Sequence, residues 1–216
     1  LQKVPYALTG SAGICNIQIR AFVEDDEHNI WFGTFVGLQK YDVRKQTYTL
    51  IQIPQYVGGL NHPSIFSLYT DRQGTIWIGS FYGGVNYFTP DRSGFVHYDY
   101  QAGNLSNLYY SYIGDMTADK HGNLWVSTDG GGLGCINENW ELVHQFTAGG
   151  LNSIPHNNVK SICYDRENDY LYIGTHLGGL SRYDFQEKSF YNYLEHQLEN
   201  TPAPRHFIYQ VKMWNG

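Results

Sequence analysis

A five-residue phrase recurs four times along this chain of 216 residues and constrains its fold more than any other feature. The phrase joins an apolar, an aromatic and a second apolar residue to two small residues. Its copies are Ile30–Thr34, Ile76–Ser80, Leu124–Thr128 and Leu171–Thr175. The aromatic position advances by 46, 48 and 47 residues. A fixed period of this size indicates one supersecondary unit that is copied along the chain.

Each copy reads as four short strands. The first strand has an apolar residue, another three positions on, and an Asp three further, as in Ile65, Leu68 and Asp71. A polar turn follows, the phrase forms the second strand, and a Gly turn leads to the third. The predicted third strands are Leu38–Tyr41, Val85–Phe88, Leu133–Ile136 and Leu180–Tyr183. The predicted fourth strands are Thr47–Ile51, Phe95–Tyr100, Trp140–Phe146 and Ser189–Leu194.

This pattern predicts an all-β fold, a β-propeller of four-stranded antiparallel blades. The 24 Gly and 19 Tyr suit tight turns and half-buried strands, and no segment has a sustained helical period. A linear solenoid is the alternative repeat architecture, but its known periods are mostly shorter or helical. The predicted blades are residues 15–60, 61–108, 109–154 and 155–200, with 1–14 as the tail of a preceding blade and 201–216 as the start of a further one.

The repeated Trp and Asp have structural interpretations. We expect the Trp to be buried between neighbouring blades and the Asp to form the first turn by accepting backbone N–H groups. Gly74 and Gly122 should supply a positive φ in that turn. In the other two copies, Asn29 and Asn168 are expected to take the place of the glycine.

The ends of the chain predict that it is a section of a larger ring, expected to have seven blades. Val4 and Pro5 resemble the residues that follow a fourth strand, Ile53 and Pro54. Ile208 and Val211 resume the spacing of a first strand.

The repeat resembles a known family. The pattern from Ile65 through Asp71, Gly74 and the phrase Ile76–Ser80 to Gly83, Gly84 and Val85 is similar to the two-component regulator propeller repeat. The Gly-His and Trp-Asp pairs of WD40 repeats are missing. Departures from the family pattern are few: Ser127, Tyr172, Phe88 and Ile136.

The resemblance implies an extracytoplasmic, periplasmic sensor of a hybrid two-component system, which recognises an oligosaccharide or another small ligand. Its partners would be neighbouring blades and domains of the full-length sensor, which would be a homodimer. A membrane span, a histidine kinase and the rest of the phosphorelay would lie outside these residues, and this segment would not be an enzyme.

Ligand-binding residues are expected where loops converge on one face of the propeller. The links from fourth to first strand are long, and they emerge on the same face as the turns from second to third strand. Aromatic, amide, carboxylate and imidazole groups on these loops suit a sugar. His62 and His156 lie beside Pro and are also interpreted as turn residues. The predicted ligand-binding residues are Phe35, Phe81, Tyr82, Tyr109, Tyr110, Asp129, His156, His176 and Arg205.

The sequence gives little support for a catalytic, metal-binding or nucleic-acid-binding function. No hydrolase elbow, zinc-binding helix motif or phosphate-binding loop occurs, and the nine His have no ligand spacing, so no catalytic residue, metal or cofactor is predicted. The net charge of −6 without a Lys/Arg run argues against nucleic acid. Two alternatives stay open, a propeller lyase or glycosidase and a protein-interaction scaffold, because blades bring distant residues together.

Overall fold

The structure, a computed structural model, describes residues 13–16, 18–51, 60–89, 96–98, 112–193 and 206–213. Within these ranges the chain folds into seventeen β-strands and contains no helix. Accordingly, the described residues hold no helix of the length and apolarity that crossing a membrane requires.

The first sixteen strands form four antiparallel sheets of four strands, each built from strands that are consecutive in the chain. This confirms the predicted four-stranded unit, and we name the sheets blades 1 to 4. Blade 1 is β1 (Ile19–Glu24), β2 (Ile30–Thr34), β3 (Leu38–Asp42) and β4 (Thr47–Ile51). Blade 2 is β5 (Ile65–Thr70), β6 (Ile76–Ser80), β7 (Val85–Phe88) and β8 (Val96–Tyr98). Blade 3 is β9 (Ile113–Ala118), β10 (Leu124–Thr128), β11 (Gly132–Ile136) and β12 (Leu142–Phe146). Blade 4 is β13 (Val159–Asp165), β14 (Tyr170–Leu177), β15 (Gly179–Asp184) and β16 (Ser189–Asn192), and β17 (His206–Phe207) pairs with β14.

The chain divides into two compact units. Unit 1 comprises residues 1–99 and 111–113 and contains blades 1 and 2. Unit 2 comprises residues 100–110 and 114–216 and contains blade 4 and all of blade 3 except the first residue of β9.

Two of the predicted fourth strands, those of blades 3 and 4, are longer than the strands that form. In blade 3 the strand begins at Leu142 instead of Trp140. Trp140 lies in the preceding turn with a φ of 67°, a conformation that a strand does not accommodate. In blade 4 the strand is Ser189–Asn192, and Tyr193 lies in a turn. In blade 2 the strand is Val96–Tyr98, and the other predicted residues, 95, 99 and 100, lie outside the described residues.

The repeated Asp closes the turn between the first and second strands, as predicted, and also binds the repeated indole. In blade 3, Asp119 Oδ1 accepts the backbone N–H groups of His121 at 2.8 Å and Asn123 at 2.9 Å. Its Oδ2 accepts the Nε1–H of Trp125 at 2.9 Å. The same indole bond joins Trp31 to Asp25 at 2.8 Å and Trp77 to Asp71 at 2.9 Å.

Hydrogen bonds in these turns lower the pKa of two of the turn aspartates. Burial alone would raise the pKa of Asp25, but hydrogen bonds from Trp31 and Asn29 outweigh it, so the pKa lies below its usual range. The pKa of Asp165 is lowered in the same way by Asn168, against the effect of burial.

The predicted positions of positive φ are right for the two glycines and wrong for the two asparagines. Gly74 and Gly122 have φ values of 76° and 89°. In blades 1 and 4 the residues with positive φ are His28 at 64° and Asp169 at 58°. Asn29 and Asn168 instead donate their side-chain amides to the turn Asp. The register explains the difference, because the glycine position lies two residues before the second strand's first apolar residue.

Each unit has its own core between its two blades. In unit 1, Trp31 of blade 1 is 4% exposed and packs against Phe88 of blade 2, with ring centroids 5.8 Å apart. In unit 2, Trp125 is 1% exposed and packs against Tyr183 and Phe185 of blade 4, at 5.8 and 5.5 Å. The predicted burial of Trp between adjacent blades is confirmed within both units.

The strand glycine of the phrase lets the next blade approach closely. A Cβ on Gly33 would lie 2.6 Å from Ile65 Cγ2, and one on Gly174 would lie 2.5 Å from Ile208 Cγ2. Ile208 thus occupies the place on blade 4 that Ile65 occupies on blade 1. Val211 N also donates to Ser161 Oγ at 3.0 Å, so residues 206–213 lie along blade 4.

In blade 3 a serine occupies the position of the strand glycine, and a glycine in the neighbouring strand leaves room for it. Ser127 takes the glycine position, and its Oγ accepts the backbone N–H of Asp115 at 2.7 Å. A Cβ on Gly114 would lie 2.8 Å from this Oγ and 2.8 Å from the carbonyl oxygen of Val159. The serine and a side chain at position 114 would compete for the same space.

Candidate functional site

The turns between second and third strands meet the beginnings of first strands at one end of the blades. In unit 1, Phe81 N donates to the carbonyl of Ser64 at 2.9 Å, and in unit 2, His176 N donates to that of Asn158 at 2.8 Å. We call this end of each unit its rim. The two sets of loops that were expected to share a face therefore contact each other within both units.

The links that lead into the first strands are fixed by a recurring hydrogen bond. The residue three positions before the strand's first apolar residue accepts the N–H two residues later. Asn16 Oδ1 accepts Gln18 N at 2.7 Å, and Nδ1 of His62 and of His156 accept Ser64 N and Asn158 N at 3.1 and 3.0 Å. Because Nδ1 is the acceptor, we assign the proton of each neutral ring to Nε2. His62 and His156 are therefore turn residues, as predicted.

A β-bulge near the start of three first strands re-aims one side chain. The pairing register shifts between Ile19 and Ala21, between Ile65 and Ser67, and between Val159 and Ser161. A bulged residue is left out of the ladder, and its side chain is free to turn away from the alternating pattern. The three bulged residues are Arg20, Phe66 and Lys160.

At the rim of unit 1, the bulged residues join the turn residues in a continuous row. The guanidinium carbon of Arg20 lies 3.9 Å from the ring centroid of Phe35 and 3.6 Å from that of Phe66. The Phe66 ring stacks on that of Phe81, with centroids 5.2 Å apart and planes 15° apart. A cation over a ring face is attracted by the negative face of the π-system, so these contacts hold the arginine in place.

The row continues into a cluster of rings around Phe81. Phe81 lies edge-on to Tyr82 at 4.6 Å and to Tyr112 at 4.5 Å, and Tyr82 and Tyr112 are 4.3 Å apart. The ring of His62 is 5.9 Å from that of Tyr82. Tyr82 is 55% exposed, so this cluster presents aromatic surface to solvent.

The rim of unit 2 carries polar and charged groups. Lys160 Nζ lies 2.6 Å from Asp129 Oδ2. His156 and His176 lie with ring centroids 6.4 Å apart, and His176 is 4.6 Å from Phe207. Burial and the nearby His176 lower the pKa of His156, while Asp129 acts in the opposite direction. The neutral form of His156 is therefore favoured near neutral pH, which suits its role as an acceptor.

The structure brings six of the nine predicted ligand-binding residues to a rim. Phe35, Phe81 and Tyr82 lie in unit 1, and Asp129, His156 and His176 lie in unit 2. The remaining three, Tyr109, Tyr110 and Arg205, lie outside the described residues.

Sequence reasoning missed four residues of the rims: Arg20, Phe66, Tyr112 and Lys160. Three of them are bulged residues that lie inside a predicted strand, where alternation gives no sign that a side chain is re-aimed. Tyr112 ends a long link, and its position directly before Ile113 could have marked it. Within the described ranges, no group of three or more His, Cys, Asp or Glu residues is placed to hold a metal ion.

Comparison with protein families finds the "Two component regulator propeller" repeat at residues 13–35, 59–82 and 153–176. Each matched segment begins before a first strand and ends within two residues of the end of the second strand, so it includes rim residues of blades 1, 2 and 4. The corresponding segment of blade 3, which carries Ser127, lies outside the matches.

Solved structures share the fold. The extracellular domain of BT3049 from B. thetaiotaomicron, assigned as a hybrid two-component system, is 20% identical with a TM-score of 0.73, over 83% of this chain and 25% of that one. The corresponding domain of BT4673 from the same organism is 17% identical with a TM-score of 0.69, over 82% and 25%. A catalytically inactive virginiamycin B lyase from Staphylococcus aureus, with quinupristin, is 14% identical with a TM-score of 0.66, over 92% and 61%.

The chain spans about a quarter of the length of the two extracellular domains. No curated protein is significantly similar to it. Three segments of the chain thus match the repeat of the two component regulator propeller family, and its four-stranded blades share the fold of these extracellular domains.

Proposed function

We propose that this chain is the ligand-sensing propeller of an extracytoplasmic receptor in a two-component system, and that it binds an oligosaccharide at the rim of unit 1. The receptor would pass the signal to a histidine kinase that lies elsewhere in the full-length protein. The three segments that match the regulator propeller repeat and the fold shared with two extracellular domains support the sensor role.

The observation that carries the ligand class is the exposed ring cluster of unit 1. A sugar ring has an apolar C–H face that packs on an aromatic ring and hydroxyl groups that need hydrogen-bond partners. Tyr82 offers an exposed ring that is supported by Phe81 and Tyr112 at 4.6 and 4.3 Å. Because these neighbours restrict its rotamers, Tyr82 would lose little side-chain entropy on binding.

The proposed signalling step is a shift in population. An oligosaccharide changes the state of the receptor only if it binds one arrangement of the propeller and its neighbouring domains more tightly than another. The rim suits this role because its loops are held by a rigid scaffold of strands, which can transmit a difference in contacts.

Calorimetric titration of the full chain with a panel of neutral and acidic oligosaccharides tests the proposal. For a saccharide that binds, Tyr82→Ala should weaken affinity about tenfold, since it removes the stacking surface. Tyr191→Ala, which removes a ring that is 41% exposed on β16, is the matched control and should leave affinity unchanged.

Analysis of the saccharide after incubation separates the sensor from an enzyme. An intact ligand is expected. A cleaved ligand would instead support a lyase or glycosidase, and the absence of binding to any saccharide would overturn the oligosaccharide assignment.

A further inference from the structure

The carboxylates of unit 1 are segregated from its rim. All of its described Asp and Glu residues lie in the turns at the other end of the blades or in strand residues next to those turns. They are Glu24, Asp25, Asp26, Glu27, Asp42 and Asp71. The strands between them and the rim have five or six residues, a separation of roughly 15 Å or more.

The long links show the same bias in sequence. Residues 52–64 and 101–112, which lead into blades 2 and 3, contain no Asp or Glu, although the chain has 20. A chain with a net charge of −6 thus has no carboxylate in either of these two links. A local field without negative charge favours the approach of an anion.

Arg20 supplies a positive charge in that field and has no carboxylate partner among the described residues. The described ion pairs of unit 1 join Glu24, Asp25 and Asp42 to His28, Lys40 and Lys45, all away from the rim. Arg20 instead lies against the faces of two Phe rings, at 3.9 and 3.6 Å. Contacts to ring faces leave the N–H edges of a guanidinium available, and that edge is a fork that matches a carboxylate or a sulfate.

We propose that the rim of unit 1 selects an acidic oligosaccharide, with Arg20 binding its carboxylate or sulfate group and the rings around Tyr82 binding a neighbouring sugar. The inference rests on the function proposed above and narrows its ligand class. The rings of Phe66 and Phe81 separate Arg20 from Tyr82, so a ligand that contacts both must have more than one sugar ring.

The test uses the full chain and three probes: trigalacturonate, its fully methyl-esterified form, and a sulfated galactose trisaccharide. The ester keeps the sugar rings and removes the charge. Trigalacturonate or the sulfated probe should bind at least tenfold more tightly than the ester, because hydrogen bonds to charged groups are the strong ones. The probe that binds more tightly identifies the anion, and raising the salt concentration should weaken its binding but not that of the ester.

Arg20→Gln should remove the preference and leave the affinity for the ester unchanged. Arg20→Lys keeps the positive charge but removes the paired N–H donors of the guanidinium, so it should retain part of the preference for the acidic probe. It also provides the test if the Gln variant does not fold. Lys45→Gln is the matched control, because Lys45 is an exposed cation in a turn at the other end of blade 1.

The outcomes distinguish this inference from the function on which it rests. Equal binding of ester and anions, or full affinity for the anions in Arg20→Gln, would overturn the acidic-ligand assignment and leave oligosaccharide sensing intact. If neither these probes nor any neutral saccharide binds, the proposed function itself fails.

Discussion

Replacing Asp119 by Ala should lower the free energy of unfolding by about 3 kcal/mol, whereas replacing Asp165 by Ala should lower it by about 1 kcal/mol. The two residues are a matched pair, since each is 4% exposed and closes the same turn in adjacent blades of unit 2. Each accepts two backbone N–H groups through Oδ1. These amides lie in surface turns, so water can replace the lost acceptor at modest cost.

The difference between the two turns is the indole. Asp119 also accepts the Nε1–H of Trp125, which is 1% exposed, whereas the fourth copy has Tyr172 at that position. Removing the carboxylate leaves the indole N–H buried without its acceptor, and an unsatisfied buried donor costs about 1–3 kcal/mol. The total loss at Asp119 is this cost added to the loss of the turn, and its excess over Asp165 is the cost of the unpaired indole N–H alone.

Urea unfolding of the full chain, followed by tryptophan fluorescence, measures both losses. Adding Trp125→Phe completes a double-mutant cycle with Asp119→Ala, and the cycle should give a coupling of about 1.5 kcal/mol. Equal losses for Asp119→Ala and Asp165→Ala, or a coupling below about 0.5 kcal/mol, would refute the argument that the indole bond distinguishes the two turns.

Two further predictions concern the contact between blade 4 and residues 206–213, and the rim of unit 2. Gly174→Ala should destabilise that contact by about 1–3 kcal/mol, because the new Cβ would lie 2.5 Å from Ile208 Cγ2, and hydrogen exchange in residues 206–213 should rise. Gly150→Ala is its control, since the nearest atom there would be 3.6 Å away. The imidazole of His156 should titrate below pH 6.5 by NMR, because burial and His176 lower its pKa. The folded pKa is the lower one, so this contribution to stability is present above about pH 6.5 and is lost as the pH falls through the folded pKa, together with protection of the Asn158 amide. A midpoint at or above 6.5 would contradict the prediction.

Much of the candidate site follows from local sequence. Phe35, Phe81 and Tyr82 could be predicted because they come directly after the repeated phrase, whose end sets the position of the turn. Asp129 and His176 follow from the same rule in blades 3 and 4. The long links could be recognised by length, and His156 by its place beside Pro155.

The bulged residues could not be predicted in this way. Arg20 and Lys160 lie one position after the first apolar residue of a strand, where alternation assigns them no special direction. A bulge is a property of the pairing between two strands, and the register shift appears only when both strands are in place. The positive φ of His28 shows a related limit, because composition pointed to Asn29 and only the register of the turn located the strained position.

The sequence alone therefore determines the four-stranded blade, its period and the turn around each Asp, because these depend on spacing within about fifty residues. Tertiary structure decides which side chains meet at the rims, since those contacts join residues from different blades. The row from Arg20 through Phe66 to Phe81 is such a case: its members are 46 and 15 positions apart in the chain, and a bulge together with the packing of blade 2 on blade 1 brings their side chains into contact.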